Sequence, residues 1–198
     1  MSSYCLTGPK GPKLVVLSAP SGGGKSTLAN LLLHRHGDKL KHSVSYTTRA
    51  PRGAEQQGEH YFFVTDDEFK AMIKNGQFLE YAQVFGRSWY GTSREQVEGL
   101  LNKGLSVIFD IDVQGADSLK GLYGDRCVTI FILPPSLEAL EKRLRDRNTE
   151  SEEAIKNRLK AARAEMGRAP GFDHQVVNQT LEASVAELER ILSAAGVL

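Results

Sequence analysis

One stretch limits what this chain can become more than any other: Ala19-Pro20-Ser21-Gly22-Gly23-Gly24-Lys25-Ser26. It follows the apolar run Leu14-Val15-Val16-Leu17 and precedes Leu28, Leu31 and Leu32 at helical spacing, so it reads as strand, loop, helix. The spacing matches the phosphate-loop pattern G-x-x-x-x-G-K-[ST] everywhere but its first position, where Ala19 replaces glycine. Glycines let successive backbone N–H groups turn toward one anion. The following helix adds its positive N-terminal end. Lys25 has the length to reach β- and γ-phosphates, and the Ser26 hydroxyl is a ligand for Mg²⁺. The plain alternative is a Gly-rich turn that happens to carry Lys-Ser; the strand and helix on either side weigh against it.

The rest of the chain repeats the strand-then-helix rhythm. Leu105–Phe109 leads into Asp110-Ile111-Asp112, Cys127–Leu133 ends at Pro134-Pro135, and Gln175-Val176-Val177 leads into Asn178. Short apolar runs bounded by turn residues suit strands buried on both faces. Between them lie helical patterns. Ser93 with Gln96 looks like a capping box ahead of Val97, Leu100 and Leu101, with Gly104 as the stop. Val185, Leu188, Ile191 and Leu192 share one face near the C-terminus. The expected fold is α/β, three-layered, with a mainly parallel central sheet.

Two regions break the rhythm. From about Ser43 to Tyr90 the chain is rich in aromatic and β-branched residues, with one helix capped by Thr65 and Glu68 and turning Phe69, Met72 and Ile73 inward. It reads as a small, mixed insertion. From Ser136 to Arg168 the chain is highly charged, with two helices broken near Arg147-Asn148, the second capped by Thr149 and Glu152. The resulting division is a tail over 1–12, a core over 13–43, 96–135 and 169–198, an insertion over 44–95 and a helical lid over 136–168.

Charge excludes some partners. Lys and Arg number 25 against 24 Asp and Glu, a net +1, so no global field draws the chain to nucleic acid or an acidic membrane. Cys5 and Cys127 form no metal-type or CxxC spacing, and the five histidines show none either. No signal-type apolar segment stands at the N-terminus, which makes the cytoplasm the default expectation.

The acceptor side of the chemistry is carried by Ser43-Val44-Ser45-Tyr46-Thr47-Thr48-Arg49-Ala50-Pro51-Arg52, Gly58–Val64, Phe78–Ala82, Trp89–Ser93 and Asp110–Gly115. These stretches resemble the guanylate kinase family, over roughly Leu14 to Met166. The resemblance implies transfer of the γ-phosphoryl group of ATP to GMP, and to dGMP, with Mg²⁺ accompanying ATP and an in-line displacement. It implies a GMP-binding insertion and a lid. Residues Ala19, Pro20, Ser21, Gly22, Gly23, Gly24, Lys25, Ser26 and Thr27 would bind ATP, with Asn178 near the adenine. Arg49 and Arg52, helped by Tyr61 and Tyr90, would hold the GMP phosphate. Ser45, Glu80, Thr92 and Asp112 would surround the guanine. Ser26 and Asp110 would serve the metal. Lys25, Arg49, Arg143, Arg147 and Arg158 would neutralise the transferring charge. The substrates ATP and GMP are the implied partners; monomer and homodimer both stay open.

Elementary chemistry supports these assignments. Guanidinium groups grip phosphate oxygens in a bidentate way, and Pro51 stiffens the backbone between Arg49 and Arg52. Guanine presents N–H donors where adenine does not, and ionised carboxylates only accept. Each assignment has a competing account. Arginines are usually surface charges. Arg143 and Arg147, at i and i+4 among acids, suit a salt-bridged helix face. Asp112 could cap the next helix. Two sequence departures from the family stand out: Gly53-Ala54-Glu55 reverses the usual small-Gly order, and Gly86–Trp89 holds one extra residue. Two other functions fit a phosphate loop. A guanylate-kinase-like scaffold module would dispense with the loop chemistry, and a kinase acting on a ribose bisphosphate would not need Glu80 and Thr92.

Overall fold

A computed structural model describes residues 11–84, 86–146 and 151–198. The first strand, β1 (Leu14–Ser18), is fully buried, and it lies at the centre of the main sheet. Helix α1 (Lys25–His36) follows the glycine loop, then β2 (Leu40–His42). A second sheet is built from β3 (Tyr46–Thr47), β4 (Phe62–Phe63), β5 (Phe78–Val84) and β6 (Ser88–Ser93), with α2 (Asp66–Lys74) between β4 and β5. The chain then returns through α3 (Arg94–Asn102), β7 (Ser106–Asp110), α4 (Val113–Tyr123) and β8 (Cys127–Leu133). It continues with α5 (Leu137–Asp146), α6 (Glu152–Met166), β9 (His174–Val177) and α7 (Leu181–Ala194).

The main sheet runs β2-β7-β1-β8-β9 with every pairing parallel. Alternation along β1 divides its side chains between two cores. Val15 and Leu17 pack with Leu28 and Leu32 of α1 and Val185, Leu188 and Ile191 of α7. Leu14 and Val16 pack with Val97 and Leu101 of α3 and Ala116 and Leu119 of α4. The expected α/β fold with a parallel sheet is the observed one. Strand β2 has no counterpart in the sequence reading: a three-residue strand with only Leu40 buried is too short to show a period.

The second sheet runs β4-β3-β6-β5, parallel at β3–β4 and antiparallel elsewhere. Its packing is aromatic: Phe69 stacks on Phe78 at 4.5 Å and Tyr46 on Phe62 at 4.8 Å. Thr65 and Glu68 form the full reciprocal capping box of α2, and Phe69 is buried, whereas Met72 and Ile73 are only half-buried. The Ser93 cap is half of what was expected. Its side chain accepts from Gln96 N, but the Gln96 side chain reaches Tyr46 Oη instead of closing the box.

Helices α5 and α6 pack through Leu140, Leu144 and Ala162 with Leu159. The N-cap of α6 is Ser151, which accepts from Ala154 N, so Glu152 is the first helical residue. Thr149, Asn148 and Arg147 lie outside the described residues.

Candidate functional site

The loop from Ala19 to Ser26 sits where β1 stops at the C-terminal edge of the parallel sheet, the edge where open α/β sheets place their ligands. Gly22 and Gly24 have φ of 89° and 92°, a conformation costly for side-chain-bearing residues. Gly24 is the N-cap of α1, and no side chain caps it, so the first amides of the helix remain turned to the loop. Ala19 through Thr27, with Asp110, Asp112 and Glu165, line a cavity of about 410 Å³. The stretch expected to bind ATP, Ala19 included, lines one contiguous cavity.

At the loop's end, Lys25 Nζ lies 2.7 Å from Asp110 Oδ1 and donates to Ile111 O at 2.9 Å. Ser26 Oγ donates to Asp110 Oδ2. Asp110 is the last residue of β7 and pairs in register with Leu17 of β1, which is how parallel pairing brings it beside the loop. No group of three or more His, Cys, Asp or Glu that could hold a metal occurs among the described residues. Mg²⁺ takes one or two hard oxygen ligands from protein and completes its shell with waters and phosphate oxygens, so the Ser26 hydroxyl beside the Asp110 carboxylate fits it.

A larger cavity, about 730 Å³, opens on the other side of Lys25. Ser45, Tyr61, Glu80, Tyr90 and Asp112 line it together with Ser21, Lys25, Asp110 and Glu165. Thr92 is fully buried behind it and donates to Glu80 Oε1. Burial pushes the Glu80 carboxyl above the ordinary carboxylate range, against the Thr92 hydrogen bond that lowers it, and Asp112 adds to the rise. Burial likewise raises the Tyr61 phenol. Asp112 has a second occupation: its Oδ1 accepts from Gly115 N at 2.9 Å and caps α4. The capping account of Asp112 therefore holds, and the residue also lies on the cavity wall.

Arg49 adjoins this cavity through the tyrosines. Its Nε donates to Tyr90 Oη at 3.2 Å, and its guanidinium lies 5.2 Å from the centre of the Tyr61 ring. Glu55, left out of the sequence-derived site, accepts from Arg49 Nη2 at 2.9 Å with one oxygen and from Arg52 N at 2.8 Å with the other. The Arg49 guanidinium holds the Glu55 carboxyl below its usual range. Gly53 at φ 55° allows the turn that brings Glu55 back, so the reversed Gly-Ala order still closes the loop. The Arg52 side chain is exposed and does not line the large cavity.

The arginines expected of a lid divide. Arg143 of α5 donates to Asn178 O at 3.2 Å and lines a cavity of about 380 Å³ with Gly22, Gly24, Thr27 and Asn178. Arg158 is half-buried on α6, two turns before Glu165 and so on the same face. Arg147 lies outside the described residues. Glu165, unassigned from sequence, lines both cavities near Ser21, whose backbone favours its ionised form, and its Oε2 is buried without a hydrogen-bond partner. Desolvation raises its carboxyl. The Asn178 side-chain amide donates to Gly23 O at 2.9 Å.

A parallel sheet, a glycine loop opening a helix, and a lysine and serine beside a strand-end aspartate define the class: a phosphate-loop α/β protein built to hold a nucleotide's phosphates. The guanylate kinase family model matches residues 11–195. The chain belongs to the guanylate kinase family. It is 47% identical to the guanylate kinase of Bacteroides thetaiotaomicron over 180 residues, covering 91% of this chain and 88% of that one. It is 45% identical to that of Porphyromonas gingivalis, covering 91% and 96%. The crystal structure of guanylate kinase from Anaplasma phagocytophilum superposes with a TM-score of 0.75 at 36% identity, covering 94% of this chain and 87% of that one. The match extends well past Met166, where the resemblance read from sequence thins. In that segment Asp173 accepts from Lys120 Nζ and Thr129 N, both at 2.8 Å, a structural tie between α4, β8 and the start of β9.

Proposed function

We propose that this chain phosphorylates GMP with ATP, giving GDP and ADP. One observation carries the proposal. The loop cavity and the larger cavity share Ser21, Lys25, Asp110, Asp112 and Glu165, so a triphosphate in one and a monophosphate in the other would meet at Lys25. An oxygen of the GMP phosphate attacks the γ-phosphorus, a new P–O bond forms, and the bond to the β,γ-bridging oxygen breaks with ADP leaving. The acceptor is already ionised at neutral pH, so no general base is required. Catalysis is then positioning and charge neutralisation.

In this reading the amides of Gly22 and Gly24 hold the donor phosphates, while Gly23 N–H donates to Pro20 O at 2.8 Å and tightens the loop, and Lys25 exchanges its contact with Asp110 for phosphate oxygens. Ser26 and Asp110 would hold Mg²⁺, which supplies charge neutralisation on the donor phosphates. Arg49, Tyr61 and Tyr90 take the GMP phosphate, with Arg52 swinging in from its exposed position. Glu80 accepts guanine N–H donors, with Ser45 and Asp112 around the ring and Thr92 behind the carboxylate. Adenine would leave these acceptors unpaired, a mismatch that supports discrimination of about 10⁴ to 10⁵. Arg143, Arg147 and Arg158 close from the lid and exclude water.

A scaffold module would not need the intact cradle and Lys25–Asp110 pair, and a sugar bisphosphate kinase would not need a buried Glu80–Thr92 pair. An assay of ADP release with GMP, dGMP, AMP, dTMP and a ribose bisphosphate tests the reading. Turnover with the guanine nucleotides alone is expected; turnover with the sugar, or with none, overturns it.

A further inference from the structure

Helix α5 sorts its arginines by side. Arg143 and Arg145 are two positions apart, about 200° around the helix, so they stand on opposite flanks. Arg143 lines the cavity beside Gly22 and Gly24. Arg145 instead makes hydrogen bonds to two carboxylates. Its Nε and Nη2 donate to Glu141 Oε1 at 2.9 and 2.8 Å, one turn back on the same helix. Its Nη1 donates to Glu152 Oε1, and its Nη2 to Glu152 Oε2 at 3.0 Å, so the guanidinium fork grips both oxygens of the first residue of α6. Arg145 stands in the last turn of α5 and Glu152 in the first turn of α6, where each helix end favours that charge. A lone exposed ion pair contributes little, but a bidentate fork shared between two acids holds its geometry.

What the fork joins is thinly packed. The core shared by α5 and α6 is the small cluster Leu140, Leu144 and Ala162, with Leu159 against it. The inner face of α5 in turn rests on the phosphate loop: a Cβ placed on Gly22 would lie 3.2 Å from Leu140 Cδ1 and 3.2 Å from Leu144 Cδ2. The angle between the two helices therefore sets how these leucines seat on Gly22. It also sets where Arg143 of α5 stands relative to Arg158 of α6.

We propose that Arg145 is a positioning residue: by clamping Glu152 it fixes α6 to α5, so that Arg143 and Arg158 reach the transferring phosphoryl group together. This rests on the reading of those two arginines as charge-neutralising groups of the kinase reaction. The test pairs hydrogen–deuterium exchange over α5 and α6 with the single-turnover rate of GDP formation at saturating ATP and GMP. In Arg145→Gln, exchange in the first turns of α6 is expected to speed up. The single-turnover rate is expected to fall about three- to fivefold, the scale of an exposed pair at the upper end of its range. KM for GMP should stay within about twofold, because Arg145 does not line the larger cavity. Glu152→Gln should act alike, and the double variant should be no slower than Arg145→Gln, since both remove one interaction. Arg145→Lys, which keeps the charge and loses the fork, should restore only part of the rate.

Exchange in Arg145→Gln identical to wild type would show that the clamp holds nothing, and an unchanged rate despite faster exchange would leave it a matter of stability alone; either result overturns the proposal. Losses that added in the double variant would overturn it too. Wild-type protein that exchanged slowly over α6 yet made no GDP would instead sink the kinase reading, and the positioning role with it.

Discussion

Thr92 Oγ1 donates to Glu80 Oε1 at 2.5 Å, and the two residues are register partners across the β5–β6 hairpin. A fully buried hydroxyl thus commits its one proton to the carboxylate that faces the larger cavity. Burial still raises the Glu80 carboxyl. The folded protein therefore holds that proton more tightly than the unfolded chain, and Glu80 lowers stability as pH rises from the ordinary carboxylate range through the raised value. Guanine N–H donors favour the ionised form, so GMP affinity should rise with pH across the same window, with release of a proton. Calorimetric titrations in buffers of different ionisation enthalpy should show this release in the wild type and less of it in Glu80→Gln, which should also lose preference for GMP over AMP. Equal proton release and equal preference in the variant would count against the guanine pocket.

Lys25→Ala should reduce turnover by about 10² to 10³ or more, the scale for losing one preorganised charge at the reacting phosphoryl group. GMP affinity, measured without ATP, should change only a few-fold. Retained turnover would remove Lys25 from the chemistry.

Glu55 bridges the Arg49 guanidinium and the Arg52 backbone. Glu55→Ala should release both and raise KM for GMP about tenfold or more, the range for a hydrogen bond to a charged group. Initial rates at varied ATP should show KM for ATP unmoved, and an unaltered KM for GMP would make Glu55 a surface acid only.

Asp110 pairs with both Lys25 and Ser26. Chelation of divalent cations should abolish turnover, and Asp110→Asn should raise the Mg²⁺ concentration needed for half-maximal rate by about tenfold or more. A Mg²⁺ dependence identical to wild type would leave Asp110 as a partner for Lys25 alone.

Burial pushes the Cys127 thiol up to about 12, and its side chain is enclosed with Leu119, Phe131 and Val107. A thiol raised in the folded state favours the neutral form, so it loses stability only at alkaline pH, above the unfolded thiol value. Alkylation followed by mass spectrometry should leave Cys127 unmodified in the native protein at neutral pH. Rapid labelling there would show that β8 opens.

The phosphate loop and the parallel sheet were legible because their determinants are local. A run of glycines between an apolar strand and a helix already restricts the backbone. The strand Cys127–Leu133 was read to the residue for the same reason, and so was the buried face of α7 apart from Ser184. Asp112 was legible only as a pair of alternatives, and the Ser93 box failed because a distant hydroxyl, Tyr46, competed for Gln96.

Sequence alone determined the phosphate-loop motif and the alternation of buried strands with helices, since each is a local pattern whose physics follows from residue type. Only the tertiary structure decided how they are braced. Glu55 closes on Arg49, Glu165 of α6 lines the same cavities as Ser21, and Asn178 takes the Gly23 carbonyl across 155 positions of chain. Such contacts depend on which side chain packing delivers to a backbone group with one bond left to make. No periodicity or spacing encodes that outcome, because it is settled by the fit of the whole core around it.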